Sequence, residues 1–378
     1  MHRGRGQYPP DNYEPPDDPY YDDESAREWF DRTQREELPP DMQRIVEGVE
    51  AAHGAKIALD ERTSLRPAIL EEFIGQERVK NTVNTAVQAS IIRKTAVPHI
   101  LLSGPAGYGK TTLSHIIANV KEVPITSVLA AGITSVADLV DPIIRSGDTP
   151  SRVIFIDEVH RLTTRLQEML YPAMEDFKIS VRNGTGKYSY IDEQQLVPFT
   201  LIAATTNPGK LSKPLKDRFG VTLRLASYSI DQLEELIIQS ATKIGVRLHE
   251  GVGHLIASRC RFSPRQGNHL LVYCRDVALI QKATEITDEV AKAAFKELGV
   301  DELGLDPDDR NVLNVIVDSF EGGPAGLESI ALIADLDVDN ITGGIEPLLL
   351  LHGLIERTVK GRKITKKGLE HVAVTQGY

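Results

Sequence analysis

The sequence predicts an α/β core with a parallel sheet, followed by a small all-helical domain and a C-terminal winged helix. Three observations predict it. The apolar run Ile100-Leu101-Leu102 breaks into a glycine-rich turn, Gly104-x-x-x-x-Gly109-Lys110-Thr111, and resumes as a helical pattern. That strand–loop–helix order is a P-loop pattern. Short apolar runs then alternate with amphipathic helices, as in a parallel sheet covered on both faces. Finally, helix, turn, helix and a two-stranded wing turning at Gly361 close the chain.

Taken in order, residues 1–62 form an acidic, largely disordered arm. Its first 40 or so residues are rich in Pro, Asp, Glu and Tyr and bury too little apolar surface to offset the entropy of ordering. Within it Ala26–Arg35, carrying the sole tryptophan Trp29, reads as a short helix. Residues 63–228 form the core, with strands expected at Ile100–Ser103, Ile125–Leu129, Val153–Ile156, Phe199–Ala204 and Val221–Leu225. Asn183-Gly184, flanked by alternating residues, marks a β-hairpin insertion near 179–191. Residues 229–302 are helical from a capping box, Ser229-x-x-Gln232, with Gly245 stopping the first helix. Residues 303–378 carry the winged helix, with Val338–Leu351 expected as one amphipathic helix.

The 378 residues carry a net charge of −11, which argues against a surface that coats nucleic acid uniformly. Yet six of the eleven residues from Arg357 to Lys367 are basic. This local field, including Arg357, Lys360, Arg362 and Lys363, suits phosphate contacts along DNA. Two cysteines, Cys260 and Cys274, form no metal-type spacing, and point to a reducing, cytoplasmic setting. No apolar run reaches the ~18 residues of a membrane span, and no secretory signal follows Met1.

The chemistry starts at the loop. Gly104, Gly107 and Gly109 let backbone N–H groups close around phosphate at torsions that side chains resist, and the helix through Thr111 and Thr112 aims its positive end at the same anion. Lys110 reaches the β- and γ-phosphates of ATP, and the Thr111 hydroxyl ligates Mg²⁺. Val153-Ile-Phe-Ile-Asp157-Glu158 ends a buried strand in two acids: Asp157 for the Mg²⁺ shell, Glu158 as general base for water. Asn207 follows the next strand, where an amide can bond the γ-phosphate or the water. Arg218 is suited to a neighbouring subunit's γ-phosphate. Arg265 sits at a helix start, a poor place for a cation, which favours a nucleotide-reporting role over a structural one.

At these residues the chain resembles the AAA+ ATPases and, within them, the RuvB Holliday-junction branch-migration motors. The resemblance is carried by Leu65-Arg-Pro, Phe73-Ile-Gly-Gln76, Phe155-Ile-Asp-Glu-Val-His-Arg-Leu162, Tyr171-Pro-Ala-Met-Glu-Asp176, Asp217-Arg-Phe-Gly220 and Gly322-Gly-Pro-Ala-Gly-Leu327. It implies a helical lid at 229–302, and an adenine pocket walled by Leu65, Arg66, Phe73 and Ile74. It makes Asn207 the first sensor, Arg218 the finger acting in trans and Arg265 the second sensor, with Tyr228 near the nucleotide at the hinge. Glu175, Asp176 and Phe177 match a segment that the family places near the nucleotide. Arg357 and Arg362 match its DNA-backbone contacts. The family forms hexameric rings on duplex DNA and works with RuvA, which holds the junction.

The chain departs from the family at several points. Ala106 and Tyr108 replace a Pro and a Leu in the loop, Asn207 stands where an Arg is usual, and the family's Gly-Thr-Pro-Arg becomes Phe262-Ser-Pro-Arg265, which keeps the arginine. The family's hairpin offers RuvA an apolar tip. Here the matching Ser180-Val181-Arg182-Asn183 is mostly polar and lacks the anchors that carry interface energy, so the hairpin leaves open whether the partner is RuvA-like or one of the chain's own. The expected function is an ATP-driven motor moving duplex DNA at four-way junctions in recombination and repair. The alternatives are a clamp-loader or initiator-like ATPase, or a nucleotide-gated DNA scaffold with vestigial hydrolysis, which turnover measurements with and without DNA separate.

Overall fold

The computed structural model describes residues 65–135, 138–139, 151–183 and 190–375. The acidic arm with its expected helix, and the hairpin turn at Gly184, lie outside these residues. Helix α1 (Glu77–Arg93) leads into strand β1 (Ile100–Ser103), the phosphate loop and α2 (Lys110–Lys121). Then come β2 (Ile125–Leu129), β3 (Val153–Asp157), α3 (Thr164–Glu175), the hairpin strands β4 (Lys178–Asn183) and β5 (Tyr190–Gln195), β6 (Thr200–Thr205), α4 (Lys213–Asp217) and β7 (Val221–Arg224).

Five of these strands form one parallel sheet in the order β2-β3-β6-β1-β7. The central strands β1 and β6 are buried along their whole length, as continuous apolar runs in a parallel sheet require. Because β6 lies between β3 and β1, three chain segments leave the sheet side by side: Asp157-Glu158 after β3, Thr206-Asn207 after β6, and the phosphate loop after β1. Ser103 pairs in register with Thr205. The hairpin is antiparallel, with Lys178 opposite Gln195.

The lid comprises α5 (Ile230–Lys243), α6 (Val252–Ala257), α7 (Pro264–Ile280) and α8 (Asp288–Glu297). The capping box opens α5: Gln232 N donates to Ser229 Oγ at 3.2 Å, and Ser229 N donates to Gln232 Oε1 at 3.1 Å. One apolar cluster runs from the sheet (Ile100, Leu102, Ile202) through Phe73, Tyr108 and Tyr228 into the lid (Leu233, Ile237, Leu271). The other face of the sheet packs Leu101, Ile154 and Ile156 against α3. Cys260 and Cys274 are both buried free thiols.

A separate core holds the C-terminal unit. It comprises α9 (Pro307–Asp318), α10 (Leu327–Ala334), α11 (Val338–Asn340), α12 (Glu346–Leu351), the wing strands β8 (Ile355–Thr358) and β9 (Gly361–Ile364), and α13 (Lys366–Thr375). The expected helix Val338–Leu351 runs its full span but carries a π-turn, Ile341–Ile345, between α11 and α12. The wing gains a third strand position, because Ala325 bridges Arg362 with reciprocal backbone bonds of 2.8 and 2.9 Å.

Candidate nucleotide and DNA sites

The loop glycines are needed where they stand. Gly107 (φ +80°) and Gly109 (φ +95°) lie in left-handed backbone. A Cβ at Gly107 would come within 2.5 Å of Ser263 Oγ, and one at Gly109 within 2.8 Å of the Phe73 ring. Gly104 is likewise tight, its Cβ position being 3.0 Å from the Leu225 carbonyl. Gly109 caps α2 with no side-chain bond, so the first-turn N–H groups, through Thr111 and Thr112, suit an anion. Lys110 is buried, and its Nζ donates to the carbonyls of Gly104 (2.8 Å) and Pro105 (2.9 Å). Burial lowers its pKa, Glu158 and Asp157 raise it, and Arg265 lowers it again.

These neighbours place the acid pair and the lid arginine in the field of the loop lysine. Arg265 Cβ stands 3.1 Å from the Cβ position of Gly107, so the start of α7 lies directly on the loop. Tyr228 closes the hinge: its hydroxyl donates to the Tyr108 carbonyl at 3.3 Å, and the two rings meet edge-on at 5.9 Å. Phe73, Leu65 and Ile74 are buried, whereas Arg66 is exposed.

Glu158 adopts left-handed backbone (φ +51°), and its side chain is held. Oε2 accepts from Thr206 N at 3.0 Å and Thr206 Oγ1 at 2.9 Å. His160 Nδ1 lies 3.1 Å from the same oxygen and 2.9 Å from Thr205 Oγ1. Burial lowers the His160 pKa, while Glu158 raises it. Asp157 Oδ1 accepts from Glu158 N at 3.0 Å. Asn207 is exposed and bonds through its backbone to Thr205 Oγ1 at 3.0 Å.

A second group forms around Arg218. Its Nη1 donates to the Pro214 carbonyl at 2.7 Å, Nη2 and Nε face the Glu175 carboxylate at 3.3 Å, and the guanidinium lies 4.1 Å over the Tyr171 ring. The acidic partner of Arg218 is thus Glu175 of α3. Phe177 packs edge-on against Phe199 at 5.8 Å and His99 at 6.2 Å. Asp176 closes α3, its N–H bonding the Pro172 carbonyl at 3.0 Å. Glu175 thus contacts Arg218, and Phe177 packs on the sheet core.

On the wing, Arg357 and Arg362 are directly opposite in the β8–β9 register. Both grip Glu346: Arg357 Nε and Nη2 at 2.7 and 2.9 Å, Arg362 Nε and Nη2 at 2.8 and 3.1 Å. Burial would raise the Glu346 pKa, but the two guanidinium bonds and charges outweigh it and hold the carboxyl at about 2. Lys360 and Lys363 are exposed.

A helical lid that touches its own phosphate loop through Ser263 and Arg265 defines a P-loop protein of the AAA+ class. Residues 65–225 match the Holliday junction DNA helicase RuvB P-loop domain, residues 228–301 the RuvB AAA lid domain, and residues 302–373 the RuvB C-terminal winged helix domain. The chain belongs to the RuvB family. It is 40% identical over 315 residues to the Holliday junction branch migration complex subunit RuvB of Kosmotoga olearia, covering 83% of this chain and 91% of that one. Against the Staphylococcus aureus subunit the identity is 41% over 314 residues, covering 83% and 93%. The Thermotoga maritima RuvB Holliday junction branch migration motor superposes with a TM-score of 0.73 at 35% identity, over 82% of this chain and 98% of that structure.

Sequence reasoning missed three residues that the geometry brings in: Thr206 and His160 at Glu158, and Glu346 under the wing. Thr206 was visible as a polar residue after a strand. Glu346 carried no signal, being an acid inside an apolar helical stretch.

Proposed function

We propose that this chain is an ATP-driven motor that moves duplex DNA at four-way junctions during recombination and repair. The observation that carries the reading is the union in one chain of the Lys110–Glu158–Arg265 nucleotide site with a basic winged helix. Family membership supports it, since the named relatives are branch-migration subunits. ATP would sit between the loop and the lid, with Phe73 and Tyr228 against its base side and Lys110 turned from the Gly104 and Pro105 carbonyls onto phosphate.

Mg²⁺, when bound, would neutralise phosphate charge, held by Thr111 and Asp157. Among the described residues no group of three or more His, Cys, Asp or Glu could hold a metal ion, and a Mg²⁺ bound through one or two protein oxygens plus phosphates fits this set. Glu158 takes the proton of the attacking water, and Asn207 is in reach of the same region after β6. Arg218, gathered with Glu175 away from its own loop, is offered to a neighbour's nucleotide in a head-to-tail ring, which we take to be a hexamer. The hairpin's polar strand favours a partner other than a RuvA that grips an apolar tip. No helix among the described residues is long and apolar enough to cross a membrane.

The test is phosphate release with and without duplex or junction DNA. Glu158→Gln should cut turnover by about 10²–10⁴ while ATP still binds, and Arg218→Ala by about 10³–10⁵. Normal hydrolysis by non-assembling Arg218→Ala monomers would sink the trans-acting role. Tight ATP-dependent DNA binding with negligible wild-type turnover would favour the scaffold reading instead.

A further inference from the structure

The buried carboxylate of Glu346 is 1% exposed, yet it belongs to neither the nucleotide site nor the basic run. Burying an unpaired carboxylate is costly, and this one is fully compensated. Its two oxygens accept four bonds, two from each of Arg357 and Arg362. The two arginines need it in turn, because they face each other across the wing and like charges directly opposite in a strand pair repel.

The wing's alternation sets the geometry. Arg357 and Arg362 share a face with Ile355 and Ile364, both buried, while Lys363 and Glu356 occupy the other face. The arginines therefore lie over the body of the domain, at Glu346, and Lys363 does not join them. Arg362 is further fixed by the reciprocal backbone bonds to Ala325. The π-turn Ile341–Ile345 ends at Glu346, and such insertions recur where a helix must re-aim a side chain for function.

We infer that Glu346 is a positioning residue that holds Arg357 and Arg362 side by side as a two-pronged clamp for one stretch of DNA backbone phosphate. The Nε–Nη2 edge of each guanidinium is spent on Glu346, leaving the Nη1 side of each turned to a phosphate oxygen. Arg357, 58% exposed against 20% for Arg362, is the outer prong. The inference rests on the reading of the wing as a DNA-binding surface.

The sign of one substitution separates positioning from simple charge. Glu346→Gln makes the wing more positive, so if Glu346 merely screens the arginines, DNA binding tightens. If it positions them, binding weakens. The experiment is fluorescence anisotropy of the full chain on a fixed-length duplex through a salt series, with melting midpoints recorded for each variant. Arg357→Ala and Arg362→Ala should each weaken binding about tenfold and reduce the salt slope by about 1. Glu346→Gln should weaken it about three- to tenfold despite the loss of a negative charge.

Arg357→Lys keeps the charge at an exposed site but loses the paired edge, and should cost nearly as much as Arg357→Ala. This variant decides the matter if Glu346→Gln fails to fold. Unchanged or tighter binding by Glu346→Gln, or wild-type binding by Arg357→Lys, with both alanine variants still weak, overturns the clamp and leaves the DNA reading standing. Wild-type binding by both alanine variants overturns the DNA reading of the wing, and the clamp with it.

Discussion

Glu158, the proposed general base, is held by a residue remote in sequence. Its left-handed backbone (φ +51°) turns the side chain across the sheet edge toward β6, a conformation that a non-glycine residue keeps only where surroundings over-determine it. Thr206 supplies that constraint through its N–H and its hydroxyl. Thr206 is exposed, so its bonds to the carboxylate sit at or below the about 1.5–3 kcal/mol of a bond to a charged group, but a displacement of about 1 Å in a reacting group costs ~10² in rate. Thr206→Val should therefore lower the turnover number by about 10- to 100-fold with little change in KM, measured by steady-state phosphate release. A change confined to KM would mean that Thr206 serves binding and not the base. The acid pair itself was legible, because a buried strand ending in Asp-Glu downstream of a P-loop has few other readings. Its partners were not: Thr206 lies 48 residues from Glu158, and only the sheet order brings them together. Arg357 and Arg362 were equally visible as charges and equally silent about Glu346.

Between elements, a buried ion pair is one of the contacts that join lid and winged helix. Arg261, in left-handed backbone (φ +56°) just before the turn into α7, bonds both oxygens of Asp309 at 2.8 and 3.0 Å and also reaches Asp306. Those two acids form the capping box of α9. Asp309 is fully buried, and burial raises its pKa to about 7 although Arg261 opposes this. Removing the arginine leaves a buried carboxylate without its counter-charge, a loss of about 3–5 kcal/mol. Arg261→Gln should show that loss in urea unfolding. The native carboxyl binds its proton more tightly than the unfolded one, so stability falls as pH rises from the unfolded pKa near 3.8 through about 7. The variant should accordingly lose more at pH 8 than at pH 5. An equal loss at both would show that Asp309 stays ionised throughout. The strands around this frame were readable to within a residue or two, since apolar runs such as Ile100–Ser103 meet turn-formers at both ends. The π-turn was not, because Val338–Leu351 keeps helical periodicity and a single inserted residue leaves no mark on it.

For the molecule as a whole, the residues proposed to act on the nucleotide fall into two separate groups. Lys110, Glu158 and Arg265 gather at the phosphate loop, whereas Arg218 is tied to Glu175 and stacked on Tyr171. The class of the molecule was legible from the order of its motifs, and the trans-acting role of Arg218 was expected mainly from the family resemblance, since spacing along a chain does not say which subunit a side chain serves. The proposed head-to-tail ring would reunite the two groups, because every interface would then join one subunit's loop to the next subunit's Arg218. That arrangement makes a prediction that no self-contained site makes. Lys110→Ala and Arg218→Ala should each be inactive alone, the first for want of a phosphate contact and the second for want of the finger. Mixed in equal amounts and allowed to exchange, they should recover activity at interfaces where an intact loop from the Arg218→Ala chain meets an intact arginine from the Lys110→Ala chain. Random assembly of a head-to-tail ring places such pairs at about a quarter of the interfaces. DNA-stimulated phosphate release near that fraction of wild type supports the shared site. Failure to recover any activity, in mixed rings verified by mass, would return Arg218 to its own subunit and make its contact with Glu175 its main role.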